Sequence, residues 1–196
     1  KKMNRDSHFK NMKNILFHLF KSDRLLALIS LNFVVWGLST FIAVWTFQKY
    51  WQEGNIPLYY FGFIWAGYNL IVGVAAKQVH PLESKYGSIP LLIILSILPI
   101  MGYFGMAYFS GWLGIIIGLC FQVSRGITQV ILKDALNWRV PSGFRATANS
   151  LISLFFRLGF CIVGPIVGYF IDKRGLSFSL QSIGIGFVLL FLLFMI

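Results

Sequence analysis

The sequence predicts an all-α, polytopic membrane protein with six transmembrane helices. Three observations predict it. Of 196 residues, 57% are hydrophobic and only 12% charged, with a mean hydropathy of +0.74. A soluble domain carries about 25% charged residues to solvate its surface. Second, the apolar residues are gathered into six runs, each close to the roughly 20 residues that a helix needs to cross the hydrocarbon core. Third, the runs are too long and lack the strict alternation that an outer-membrane barrel requires.

The first run extends from Leu25 to Phe47 and stops at Gln48-Lys49. The second begins at Pro57 and is halted after Ala76 by Lys77. The third spans Ser88 to Ala107, and a short turn at Ser110-Gly111 leads into the fourth, Trp112 to Leu132. The fifth covers Ala148 to Ile171, and the sixth Leu176 to Ile196. The domain reading is therefore a basic segment, 1–24, followed by a bundle, 25–196. Within the first segment, Phe9 to Phe20 is expected to form an amphipathic helix in the headgroup plane, with Phe9, Met12, Leu16, Leu19 and Phe20 on one face. Cys120 and Cys161 fall inside apolar runs and read as small buried hydrophobes.

The net charge of +11 is distributed as a topology signal. With the N-terminus cytoplasmic, twelve Lys and Arg fall on the cytoplasmic side: seven up to Arg24, then Lys77, Lys85, Lys133, Arg139 and Arg145. Lys49, Lys173 and Arg174 fall on the other side. The positive-inside rule then puts both termini in the cytoplasm of a cell inner or plasma membrane. Anionic lipid headgroups are the expected counter-charge. Nucleic acid is excluded as a partner, because no basic stripe with interleaved aromatics occurs.

Catalysis is disfavoured by what the spans lack. His8, His18 and His80 all lie in cytoplasmic stretches, and no Asp or Glu lies in any span. A serine, metallo- or aspartyl intramembrane enzyme has no base or ligand pair to use, and no Walker-type loop occurs. No cofactor and no metal are expected.

The polar residues inside the spans carry the functional reading. Gln122, Arg125 and Gln129 are spaced by three and four along the fourth helix, so they share a narrow arc. Ser150, Ser153 and Arg157 repeat that spacing on the fifth. Asn32, Trp36, Ser39 and Thr46 lie along the first. The simplest account is three helices lining one wet cavity. A charged side chain deep in a bilayer costs about 2.5–3.5 kcal/mol even on the lenient insertion scale, so it faces a cavity or a partner. Arg125, eight residues before Lys133, either faces the cavity or snorkels to the inner surface. Arg157, twelve residues beyond Arg145, lies roughly 18 Å deep at helical rise. It is expected to bind or gate an anionic or zwitterionic solute. Trp36 is read either as packing or as a stacking wall. Gly114 with Gly118, and Gly164 with Gly168, have the four-residue spacing of helix contact faces. Pro90, Pro99 and Pro165 interrupt three runs and free backbone carbonyls that neighbours or water must satisfy.

Pro141-Ser142-Gly143-Phe144-Arg145-Ala146-Thr147, then Ser150-Leu151 and Gly164-Pro165-Ile166-Val167-Gly168, resembles the penultimate helix of major facilitator superfamily transporters. The stretch Gly73 to Gly87, with Lys77, Glu83 and Lys85, is similar to a degenerate copy of that superfamily's cytoplasmic loop signature. The resemblance implies a C-terminal six-helix half of a twelve-helix fold. It also implies secondary transport of a small solute by alternating access, with the solute between the halves. The implied partners are the solute, membrane lipids, and either a missing N-terminal half or a second copy. A six-helix accessory or scaffold subunit that does not itself transport remains the alternative.

Overall fold

The computed structural model describes residue 17 and residues 23–195. The segment 1–24, with its expected amphipathic helix, therefore lies almost wholly outside the described residues. Six long helices account for nearly all of the rest: α1 Arg24–Glu53, α2 Phe61–Tyr86, α3 Ser88–Tyr108, α4 Gly111–Arg139, α5 Arg145–Arg174 and α6 Leu176–Met195. All six are long and apolar enough to cross a membrane. The protein is an all-α polytopic membrane protein.

The six apolar runs locate the helices but understate them. α1 continues past Phe47 to Glu53, and α2 passes through Lys77 and Pro81 to Tyr86. α4 and α5 likewise extend beyond their apolar runs to Arg139 and back to Arg145. A charge marks where a helix leaves the hydrocarbon, not where it ends, since Lys and Arg are good helix formers. The true boundaries come from caps. Asp23 accepts the Leu25 N–H at 2.9 Å through Oδ1, which starts α1. Gly87 and Gly175 end α2 and α5 at φ values of 81° and 83°, where a side chain would be strained.

The chain repeats itself. A proline, Pro57 or Pro141, precedes a single 3₁₀ turn, Leu58–Tyr60 or Ser142–Phe144, that feeds directly into α2 or α5. Gly87 and Gly175 then make one-residue junctions into α3 and α6. The packing follows the same division. α2 of the first triplet packs chiefly on α4 of the second, α5 packs chiefly on α1, and α3 lies against α6. Because each triplet has three crossings, the second is inverted relative to the first. The symmetry is incomplete: α4 also runs along α3, whereas α1 barely touches α6.

α4 is the axis of this arrangement, with half of its span buried against 17% for α2 and for α5. Around it sits an aromatic core of Phe47, Trp51, Tyr68, Tyr103 and Phe121, each 2% exposed or less. Phe47 meets Tyr68 at 5.2 Å and Phe121 at 5.7 Å, edge to face, and Tyr103 meets Phe121 at 4.8 Å. In lipid the cohesion comes from such close contacts and from interhelical hydrogen bonds. The tyrosine hydroxyls serve as cross-links: Tyr68 donates to the Ile115 carbonyl at 2.8 Å, Tyr103 to Ser39 O at 2.6 Å, and Tyr50 to Phe109 O.

Of the two glycine pairs, only one is a helix contact. A Cβ on Gly114 would meet the Tyr50 ring, and one on Gly118 the Tyr68 hydroxyl. Gly168 has nothing within 4 Å, and Gly164 meets only Phe160 of its own helix. Cys120 is half-buried, but Cys161 is exposed on α5, contrary to its reading as a buried hydrophobe. Two of the three prolines are accommodated individually. Pro90 falls in the first turn of α3, where its missing N–H is not required. Pro99 deprives the Leu95 carbonyl of its helical donor, and the Ser124 hydroxyl of α4 replaces it at 2.6 Å.

Candidate functional site

α4 carries Gly114, Gly118 and Gly126, whose lack of side chains lets α1 and α2 approach closely. The Gly126 position lies 2.7 Å from the Val72 carbonyl oxygen when a Cβ is built on it, so the α2 and α4 backbones are nearly in contact there. About two turns beyond Gly118, a polar arc faces α1 and α5. Arg125, Thr128 and Gln129 from the arc join Phe33, Gly37, Thr40, Phe41 and Val44 of α1, and Phe156 and Arg157 of α5. Together they line a cavity of about 290 Å³. It lies among helices of both triplets.

The electrostatics of this cavity are one-sided. Arg125 and Arg157 line it, and among the described residues no Asp or Glu does. Arg157 is exposed; its Nε donates to Ser153 Oγ at 3.3 Å, one turn back on α5. Its guanidinium carbon lies 5.9 Å from the Phe41 ring centre and 5.8 Å from that of Phe156, within cation–π range. Arg125 is half-buried and has no hydrogen-bond or ion-pair acceptor among the described residues. The Thr128 hydroxyl is buried, in a residue 4% exposed, and has no hydrogen-bond partner among the described residues. Thr40 is satisfied locally, its hydroxyl donating to the carbonyls of Trp36 and Gly37.

The sequence-predicted residues are therefore divided. Arg125, Gln129 and Arg157 are brought together in one cavity. Asn32 and Trp36 are not with them. They line a second cavity of about 230 Å³, among α1, α3, α4 and α6, whose walls include Leu92, Ser96, Leu132 and Phe191. There Asn32 Nδ2 donates to the Leu28 carbonyl at 2.9 Å, and Trp36 Nε1 donates to Asn32 Oδ1 at 3.1 Å. Trp36 is 1% exposed and stands 5.9 Å from Phe187, so it packs between helices. The expectation that α1 turns Asn32 and Trp36 toward the arginines is corrected: at about 100° per residue, Asn32 lies roughly 140° around the helix from Gly37. Gln122 is 1% exposed and its amide nitrogen has no partner among the described residues, but it does not line the arginine cavity. Sequence reasoning missed Thr128, Phe33, Phe41 and Phe156. Thr128 was within reach, being three residues beyond Arg125 and so on the same arc.

A larger concavity, about 790 Å³, opens at the end that carries the α2–α3 and α4–α5 connections. Its charged lining has both signs: Glu83 and Asp134 with Arg139 and Arg145. His80 stands 3.9 Å from Glu83 and 3.7 Å from Asp134, all substantially solvent-exposed. Mixed, hydrated charges give no net field for one class of solute, so size alone does not make this the site. Among the described residues no group of His, Cys, Asp and Glu is placed to hold a metal ion. No protein-family model, curated protein or solved structure matches the chain.

Proposed function

We propose that this chain is the solute-handling bundle of a secondary active transporter that works by alternating access. In this reading it corresponds to a C-terminal six-helix half of the major facilitator type. The observation that carries the proposal is the cavity shared by α1, α4 and α5, with Arg125 and Arg157 facing it and no counter-charge in its lining. Intramembrane cations are costly, and solute pathways are where membrane proteins keep them. Two inverted triplets that exchange their middle helices fit the repeat architecture of such transporters, with the solute at the repeat interface. The low burial of α2 and α5 fits a second six-helix body packing there, whether another part of the same protein or a second copy.

Both chain ends of the bundle are then cytoplasmic, on the side of Lys77, Lys85, Lys133, Arg139 and Arg145, in a cell inner or plasma membrane. The solute is an anion or a zwitterion. Arg157 contacts it from α5 and Arg125 from α4. Closing the cavity is a rocking of this bundle against its counterpart.

Uptake into proteoliposomes, screened over small organic anions with and without a proton gradient, tests the proposal. Accumulation above protein-free vesicles is expected, and Arg157→Gln is expected to lower apparent solute affinity by about tenfold, because it removes one of the two cations that line the cavity. An Arg157→Gln protein with unchanged affinity and unchanged pH dependence refutes the role of Arg157. No uptake of any anion, together with stoichiometric co-purification of an unrelated transporter, favours the accessory-subunit alternative.

A further inference from the structure

The arginine cavity has a polar wall and an aromatic wall, and the two make unequal demands. On the polar wall, among the described residues, Arg125 is half-buried without an acceptor, and Thr128, three residues on, holds a buried hydroxyl without a partner. Gln129 adds an amide at the open side of the same arc. These are unfilled requirements: a guanidinium offers five N–H donors in a fixed fork, and a hydroxyl needs an acceptor close by. A planar carboxylate fits such a fork with two parallel hydrogen bonds and has lone pairs left over for the hydroxyl. Arg157 differs, because it is already held by Ser153 and laid against the Phe41 and Phe156 rings.

On the opposite side the cavity has Phe41 and Phe156, themselves paired edge to face at 5.6 Å. A flat aromatic body meets such rings in offset or edge-to-face contact, and the exposed guanidinium of Arg157 offers its plane for stacking. The lining holds no Asp or Glu among the described residues, so a ligand ammonium has no ionic partner in it. The volume of about 290 Å³ lies at the low end of small-molecule sites.

We infer that the ligand class of this cavity is a small aromatic monocarboxylate, its carboxylate seated on Arg125 and Thr128 and its ring against Phe41 and Phe156. The inference rests on reading this cavity as a solute site, and it narrows that reading from anion or zwitterion to aryl acid. Arg125 becomes the head-group anchor, and Arg157 a second, outer contact that stacks on the ring.

Equilibrium binding of radiolabelled phenylacetate to the full-length protein in nanodiscs tests it. Binding is expected to be saturable, and unlabelled phenylacetate should compete at least tenfold better than phenylacetamide, acetate or the zwitterion phenylalanine. Cyclohexylacetate should compete several-fold more weakly than phenylacetate. Arg125→Gln should weaken binding by at least about tenfold and Arg125→Lys by less, while Thr128→Val should weaken it by about three- to fivefold. Thr128→Val conserves volume, so it remains informative should Arg125→Gln fail to fold. Absence of binding, equal competition by phenylacetamide or phenylalanine, or unchanged affinity in both Arg125→Gln and Thr128→Val overturns the inference. Equilibrium binding needs no gradient and no rocking. Phenylacetate binding without transport would therefore refute the proposed function alone. Transport of another solute without phenylacetate binding would refute the ligand class alone.

Discussion

Replacing Gly126 by alanine is expected to loosen the α2–α4 seam, and its cost follows from the geometry. The added Cβ would lie 2.7 Å from the Val72 carbonyl oxygen, 2.8 Å from Ala75 Cβ and 3.1 Å from the Ala76 nitrogen. Ordinary contact begins near 3.4 Å, so α2 must retreat by roughly 0.7 Å along a stretch where the neighbours are two backbone atoms and an alanine Cβ, none of which can rotate aside. Overpacking of this kind costs about 1–3 kcal/mol, and backbone neighbours place it at the upper end. Alanine recovers up to about 1 kcal/mol of helix propensity over glycine, leaving a net loss of about 2 kcal/mol. Gly168→Ala is the matched control: the same substitution within a helix, with nothing within 4 Å, is expected to be neutral or stabilising by up to about 1 kcal/mol. Unfolding of the purified chain in mixed micelles with increasing denaturing detergent, followed by circular dichroism, gives both values. A Gly126→Ala chain as stable as the parent, or a Gly168→Ala chain equally destabilised, would show that α2 and α4 do not meet at Gly126.

Two further outcomes follow from the same contacts. Ser124→Ala removes the hydroxyl that answers the Leu95 carbonyl freed by Pro99, at an expected cost of about 0.6–1.7 kcal/mol. In a Pro99→Ala background the same change should cost less, because the Leu95 carbonyl regains a helical donor; a double-mutant cycle with no coupling contradicts this. Asp134→Asn at the solvent-exposed His80 contact should shift stability by less than about 1 kcal/mol and leave phenylacetate binding unchanged, measured by the same unfolding and binding assays.

The sequence carried a good deal of this protein by itself. Six crossings, their order and their approximate centres follow from apolar run length, because the bilayer fixes how many residues a helix must present. The helix ends did not follow, since Lys77 and Pro81 sit inside α2 and only Gly87, with its positive φ, closes it. That Arg125 and Gln129 of α4 share a face was equally legible, because spacing of three and four residues fixes a shared face whatever surrounds it.

What spacing leaves open is which neighbour each face meets, and here the tertiary structure decided. Asn32 and Arg157 both read as polar positions inside spans, yet α1 turns Asn32 toward α3 and α6 and turns Gly37, Thr40 and Phe41 toward the arginines. The glycine pairs Gly114–Gly118 and Gly164–Gly168 have identical spacing, but only the first has tyrosines pressed against it. Periodicity is a property of one helix and is written locally. The rotation of that helix about its axis is set by mutual packing of large aromatic side chains such as Phe47, Tyr68 and Tyr103, whose contacts join residues far apart in the chain. Thus Arg125, Thr128 and Arg157 share one cavity because three separately legible helices are turned toward one another by a core that no single helix specifies.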